Sequence, residues 1–494
     1  MNELCTDESA RTSTLPLWIE EELAGCQWPD KRLGKRACKL LDAMSRQPQS
    51  TFPQCCGDAA QTKAAYRFFD HAELDFASLL EGHYQASWQR ISQSADPVLL
   101  LEDSTAMNFE GRPATQGLGP IGTRADGAQG LWLHSTLAMS QEGCCLGFVH
   151  AQCWVRDATK AGRRHQRHQR ELEDKESYRW VSSLHCIAQQ ARQRAAQVPL
   201  IRITDREGDL WAVLVEAHRR GQADEPLHVL MRSRHDRQVR ASAGQPQGSL
   251  WTLLSQGACA ATQSLALPAR GAKEGKAARA ARQAVLEVRY TAVHVLAATQ
   301  SAKGDPAGVD CWAVEALETE PPAGCEPLHW RLLTTWPVRD AQQALEVLRW
   351  YSVRWQIEVM HKVLKSGLGI EQRALRTEER LEAVLALSLI VAWRIMNLMH
   401  AGRQERSRPA SEVLERDECL LLQVIRQHKG RCKDSESGEV LSARQAMEEI
   451  ARLGGWLGRK RDPPPGIVVL WRGMQCLDAQ LQGFQLAVRL MGNR

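Results

Sequence analysis

Two short apolar runs, each stopping in an acidic residue, constrain the fold of this chain more than any other feature. One is Pro97-Val-Leu-Leu-Leu-Glu-Asp103 and the other is Val198-Pro-Leu-Ile-Arg-Ile-Thr-Asp205. Runs of this length bounded by charge suit buried strands, and carboxylates at the C-terminal ends of strands are the usual site geometry of open α/β sheets. Leu131–Met139 and Cys145–Val155 read as further strands, and a charged helix is expected from about Gln166 to Ala195. Glu207 and Asp209 compete locally with Asp205. Asp205 is preferred because it directly ends the apolar strand, whereas Asp209 could cap or orient the next helix.

The flanking regions differ in character. Residues 1 to about 90 read as helical, with apolar periodicity in Leu17–Cys26, Leu33–Met44 and Ala64–Leu80. Lys31, Arg32, Lys35 and Arg36 open one of these helices, and Lys63 with Arg67 mark another. Short basic helices suit phosphate and groove contacts, although a solvated face reads the same way. Residues 227 to 338 suggest β structure, with strands at Leu227–Arg232, Ala284–Ala298, Val309–Glu318 and Leu328–Thr335. The basic, small-residue stretch Gly271–Arg282 reads as a loop suited to nucleic acid. From Asp340 onward the pattern is helical almost throughout. The apolar stretch Leu381–Met399, interrupted by Glu382 and Arg394, reads as a buried helix.

Composition excludes little by itself. The 494 residues give room for two to four domains, and the net charge of +5 argues only weakly for a polyanionic partner. Fifteen cysteines, an odd number without zinc-like spacing, together with a first segment unlike a secretory leader, lead us to expect a cytoplasmic protein with reduced thiols and no membrane partner.

One late segment carries more chemistry. Tyr351, Arg354, Glu358 and Lys365 lie at offsets 0, 3, 7 and 14. On a regular helix they share a stripe roughly 60° wide. A single carboxylate among Arg, Lys and Tyr suits a metal ligand surrounded by phosphate binders. With Asp103 and Asp205 it completes a set of three acids. Mg²⁺ binds through few carboxylates and keeps its other positions for water and substrate phosphates. Two such ions clamp the attacking and leaving oxygens of a phosphoryl displacement.

The spacing Tyr-x2-Arg-x3-Glu-x6-Lys resembles the YREK signature of bacterial DDE transposases of the insertion-sequence-four family. The likeness continues through Tyr66-Arg67, Glu102-Asp103, His134-Ser135, Lys175-Glu176-Ser177, Asp205-Arg206-Glu207, Arg232-Ser233 and Trp330. It ends with Ile450-Ala-Arg-Leu-Gly-Gly-Trp456, Leu470-Trp-x-Gly-Met474 and Leu481-x-Gly-Phe484, in order over nearly the whole chain. The resemblance implies an α/β fold with an RNase H-like mixed-sheet catalytic core, residues 91–375, carrying a β-rich insertion at about 235–327. It further implies a helical transposon-end binding domain over 1–90 and a helical dimerisation domain over 376–494.

Carried over by position, Asp103, Asp205 and Glu358 become the catalytic metal ligands for Mg²⁺, with Mn²⁺ as substitute, at two ions per site. Tyr351, Arg354, Lys365, Lys362 and Arg232 become contacts to DNA phosphates, and Arg36 and Arg67 contacts to the transposon end. Trp330 falls where the family stacks a flipped base, and nearby Trp336 competes for that role. The implied partners are double-stranded DNA, as end repeats and target, and a second copy of the chain. The implied activity is a cut-and-paste DNA transposase that cleaves ends through a 3′-OH and a hairpin and joins them to target DNA. A silent transposition inhibitor or domesticated DNA-binding protein is one alternative, and an RNase H-like branched-DNA nuclease another. The loop Gly111–Gly130 and the His/Arg run Arg163–Arg170 depart from the family pattern.

Overall fold

The structure, a computed structural model, describes residues 15–492 apart from 123–126, 159–170, 195–196, 224, 242–246, 268, 270–279, 298–300, 303, 405–407 and 432–439. The His/Arg run at 163–170 and most of the basic loop at 271–282 therefore lie outside the described residues.

Five helices come first: α1 (Leu17–Leu23), α2 (Lys31–Arg46), α3 (Phe52–Cys56), α4 (Ala59–Phe69) and α5 (Phe76–Ser92). Side-chain oxygens start three of them by taking up otherwise unpaired backbone N–H groups. The Asp30 carboxylate accepts from the Arg32 N–H at 2.8 Å, and Asp58 accepts from Gln61 at 2.7 Å. The expected continuous helix Ala64–Leu80 is two helices. Asp75 accepts from the Ser78 N–H at 2.8 Å while the Asp75 N–H donates to Ser78 Oγ at 2.9 Å, a reciprocal cap that restarts the chain as α5. Between α2 and α4 the chain forms the short helix α3.

The central layer is a mixed sheet. Its strands are β1 (Val98–Asn108), β2 (Gly119–Pro120), β3 (Gln129–Met139), β4 (Cys145–Trp154), β5 (Leu200–Thr204), β6 (Leu227–Arg232), β7 (Gln238–Arg240), β8 (Gly248–Ser249), β9 (Ala261–Leu267), β10 (Arg282–Leu296), β11 (Gly308–Glu318) and β12 (His329–Thr334). The order is β2-β3-β1-β5-β6-β12-β11-β10-β7-β8, with β4 on β3 and β9 on β10. β1, β5 and β6 are parallel, while β3 runs antiparallel to β1 and β4. The β-rich segment does not stand apart: β12 joins β6 on one side and β11 on the other, so its strands prolong the same sheet.

Helix α6 (Arg179–Gln193) is shorter than the charged helix expected from about 166; residues 176–178 form a separate 3-10 turn before it. With α7 (Trp211–Gln222) and α8 (Leu250–Gln256) it packs on one face of the sheet, over Leu100, Leu200 and Val229, all buried. The opposite face, with Leu99, Leu101, Ile201 and Ile203, faces α5 and the C-terminal helices. Each such leucine removed from water contributes roughly 1.5–3 kcal/mol, which is why strands buried on both faces read as unbroken apolar runs.

The remaining helices are α9 (Ala341–Val353), α10 (Gln356–Lys362), α11 (Glu378–Arg403), α12 (Arg416–His428), α13 (Ala443–Leu453) and α14 (Ile467–Gly492). Helix α11 is long and apolar enough to cross a membrane by composition, yet it is buried within the protein over most of its length. It packs against α5, α13, α14 and β4.

Candidate active site

Register brings the first two acids together. In the parallel pair β1–β5 the last matched residues are Leu101 and Ile203. Two residues further along each chain stand Asp103 and Asp205. β1 was expected to end at its acid, but it continues to Asn108 because β3 goes on pairing with it as far as Gly130. Asp103 therefore lies mid-strand, where its parallel neighbour has just run out. β5 does end before Asp205, in a 3-10 turn at Arg206–Gly208. That turn folds back so closely that a Cβ on Gly208 would fall 2.4 Å from Thr204 Oγ1. Backbone N–H groups hold each carboxylate: Ser104 donates to Asp103 Oδ1 and Glu207 to Asp205 Oδ1, both at 2.7 Å.

The third acid arrives on a broken helix, not on the continuous one the spacing suggested. α9 stops at Val353, and Ile357 and Glu358 donate to the carbonyls of Arg354 and Trp355, three residues back. This tighter winding turns the chain into α10, and a π-helical turn at Val363–Gly367 follows. Arg354 sits at the break and reaches both acids, with Nη2 2.5 Å from Glu358 Oε1 and Nη1 3.5 Å from Asp103 Oδ2. Burial, reinforced by repulsion from Asp205 and Glu358, pushes the Asp103 carboxyl up to about 7 although Arg354 pulls the other way.

The other expected residues spread around this centre. Tyr351 is buried at the end of α9, with the Arg354 and Arg232 guanidinium groups near enough to act on its phenol. Burial raises its phenol above the usual range. Arg232, at the end of β6, donates to the His329 carbonyl at 3.0 Å. Trp330 on β12 meets the Tyr351 ring edge to face, 5.1 Å between centroids. Trp336 instead packs on Trp350 and His228, at 5.5 and 4.9 Å. Lys362 is exposed in the last turn of α10. Lys365 lies in the π turn, 3.9 Å from Glu371 Oε1, and the same oxygen accepts from the Asn108 N–H at the far end of β1.

The two N-terminal arginines differ. Arg36 on α2 is half-buried and donates to Gln61 on α4 at 2.5 Å. Arg67 is exposed and, with Lys63, Tyr66 and Thr62, lines an open cavity of about 620 Å³.

Sequence reasoning missed three residues close to the acids. Exposed Arg206 sits near enough to Arg232 to depress its pKa further, in addition to burial. Arg179 and Ser104 contact each other at 2.9 Å. Asp209, weighed against Asp205, is buried and holds the loop after β6, accepting from Arg234 N at 2.7 Å and from Arg237 Nη2 at 2.5 Å. It does not cap α7.

Three family models match segments of the chain. Residues 16–74 match the transposase DNA-binding family, 162–394 the transposase DDE domain, and 390–491 the transposase Tn5 dimerisation domain. The chain is a DDE transposase. Asp205 and Glu358 fall within the matched DDE segment, and Asp103 precedes it. A DDE domain implies a divalent cation. Among the described residues no three His, Cys, Asp or Glu side chains are grouped to hold a metal ion; the Arg354 guanidinium stands between Asp103 and Glu358. The donor chemistry nonetheless fits: three carboxylate groups offer only hard oxygens, and the burial and carboxylate repulsion that raise Asp103 are opposed by positive charge, here supplied by Arg354.

Proposed function

We propose that this transposase moves DNA by cut and paste and belongs to the insertion-sequence-four group, resembling the transposon-five transposase. Asp103, Asp205 and Glu358 would hold Mg²⁺, or Mn²⁺ in its place, as two ions. When bound, the ions supply the charge that activates a water or a 3′-hydroxyl and steadies the phosphoryl group in transfer. The observation that carries this reading is the β1–β5 register, which brings Asp103 and Asp205 to the same end of the paired strands, with Arg354 linking Asp103 to Glu358.

The protein's part is positioning and charge. Arg354, Arg232, Lys362 and Lys365 hold the terminal phosphates, and Tyr351 lies beside Arg354 and Arg232. Trp330, braced edge-on by Tyr351, offers an aromatic face to a flipped base, offsetting the few kcal/mol needed to unstack it. Water first nicks each end, leaving a 3′-OH. That hydroxyl attacks the opposite strand to form a hairpin, a second water opens it, and the freed 3′-OH attacks target DNA. Each step is the same in-line displacement with a different nucleophile, so one set of residues serves all.

The domain division we propose is end binding by residues 1–90, with Arg67 and Arg36 in contact with inverted repeats, catalysis by 91–375 and dimerisation by 376–494. The mixed order β4-β3-β1-β5-β6 supports an RNase H-like core. We place the protein in the cytoplasm, acting as a homodimer on paired ends. The test is nicking of a supercoiled plasmid carrying the element's own ends, with Mg²⁺. The wild type should nick, while Asp103→Ala, Asp205→Ala and Glu358→Ala should each lose more than about 10³-fold in rate yet still bind the ends. Nicking by any of the three at the wild-type rate would remove that residue from the site.

A further inference from the structure

Asp103 on β1 and Asp205 just after β5 are each held by a backbone N–H, and the residues that own those N–H groups are tied to each other. Arg179, the first residue of α6, donates Nε–H to Ser104 Oγ at 2.9 Å and Nη2–H to Glu207 Oε2 at 2.8 Å. Its Nη1–H donates to the Glu176 carbonyl at 2.8 Å, so every guanidinium nitrogen has a protein acceptor. Ser104 is the residue whose N–H holds Asp103, and Glu207 the one whose N–H holds Asp205.

The Ser104 end is anchored from below. His134 Nε2 contacts buried Glu102, and its Nδ1 lies 2.9 Å from Ser104 Oγ. With Nε2–H donating to Glu102, Nδ1 is an acceptor. The Ser104 O–H then donates to it, which leaves Oγ free to accept from Arg179. Glu102 is in turn fixed by Arg202 and Ser183, and Glu102, Arg202, His134 and Ser183 are all fully buried.

We propose that Arg179 is a positioning residue for the metal site: a clamp between Ser104 and Glu207 that sets the spacing of the Asp103 and Asp205 carboxylates. Arginine suits this role because its planar fork spans two acceptors at fixed angles, which a lysine cannot do. The assignment also gives Glu207, next but one to Asp205, a task other than ligation. The inference rests on the reading of Asp103 and Asp205 as metal ligands.

The test is Mn²⁺ binding to the full-length, DNA-free protein, read from the loss of the free-ion EPR signal. Arg179→Gln, Arg179→Lys and Glu207→Ala should each weaken Mn²⁺ roughly 10–100-fold. Glu207→Gln, which keeps an acceptor oxygen for Arg179, should bind within about threefold of wild type. The double variant Arg179→Gln/Glu207→Ala should be no weaker than the worse single, since both act through one bridge. Circular dichroism reports folding, and Glu207→Ala carries the test if an Arg179 variant does not fold. Asp103→Asn separates the two claims. If Asp103→Asn loses Mn²⁺ while the clamp variants keep it, the clamp is wrong and the site stands. If Asp103→Asn binds Mn²⁺ like the wild type, the reading of the site itself fails. Loss of DNA binding by Arg179→Gln with Mn²⁺ affinity intact would make Arg179 a DNA contact and overturn the proposal.

Discussion

Arg394→Met should unfold the C-terminal helices selectively, and by an amount set by one buried charge. Arg394 lies in α11 with Nη2 2.7 and 2.8 Å from the two carboxylate oxygens of Glu418 in α12. Its guanidinium also stacks 4.6 Å from the Trp18 ring of α1. Asp478 of α14 shares the pocket, and burial pushes its carboxyl up to about 7 even with Arg394 pulling the other way. Methionine fills a similar volume without the charge. Glu418 and Asp478 would then remain buried without their shared cation, and breaking a buried pair in this way costs about 3–5 kcal/mol.

The sign with pH follows from Asp478. Its folded pKa already exceeds the ordinary 3.8 and would rise further without Arg394. Such a carboxyl costs stability as pH rises from 3.8 to its folded pKa. Removing Arg394 raises that folded pKa above about 7 and so extends the loss to higher pH, and the penalty should be larger at pH 8 than at pH 5. Urea unfolding followed by tryptophan fluorescence at both pH values reads it. Adding Glu418→Met should restore most of the loss, short by about 1 kcal/mol because Glu418 also accepts from the Glu415 N–H that caps α12. A loss under about 1 kcal/mol at pH 8, an equal loss at pH 5, or a double variant no better than the single would refute this reasoning.

Two further outcomes concern DNA. Trp330→Ala should nick at the wild-type rate but form hairpins roughly 5–150-fold more slowly, the equivalent of about 1–3 kcal/mol of base stacking; gel analysis of donor cleavage separates the steps, and normal hairpin yield would show that Trp330 is packing alone. Arg67→Ala should weaken end binding and lower the slope of log affinity against log salt by about 1, measured by fluorescence anisotropy across a salt series, and an unchanged slope would remove Arg67 from the DNA interface.

Particular residues show why some of this was legible in the sequence and some was not. Asp205 is visible because β5 is short, apolar and bounded on both sides, and a turn follows at once. Asp103 carries the same local signal, yet its position mid-strand depends on β3, some thirty residues later, and no local pattern records that partner. The Tyr351–Lys365 spacing points to one stripe, but the helix breaks at Arg354 and winds into a π turn near Lys365 without any Pro. At that break Arg354 reaches two acids, Asp103 and Glu358, one of them 251 residues away in sequence. Arg36 looks like a free groove contact in sequence, and only the fold brings Gln61 to it. Arg179 was invisible for the same reason: its partners lie 75 and 28 residues away in sequence.

The central claim is that Asp103, Asp205 and Glu358, far apart in sequence, bind metal at one place. Fe²⁺ substituted for Mg²⁺ generates short-lived radicals with ascorbate and peroxide that cut the backbone beside the bound ion. Mapped by mass spectrometry, the cuts should fall near 103, 205 and 358 together, fade as Mg²⁺ is added, and disappear at all three places in Asp205→Asn. Cuts confined to one of these segments, or clustered elsewhere and indifferent to Mg²⁺, would contradict the account.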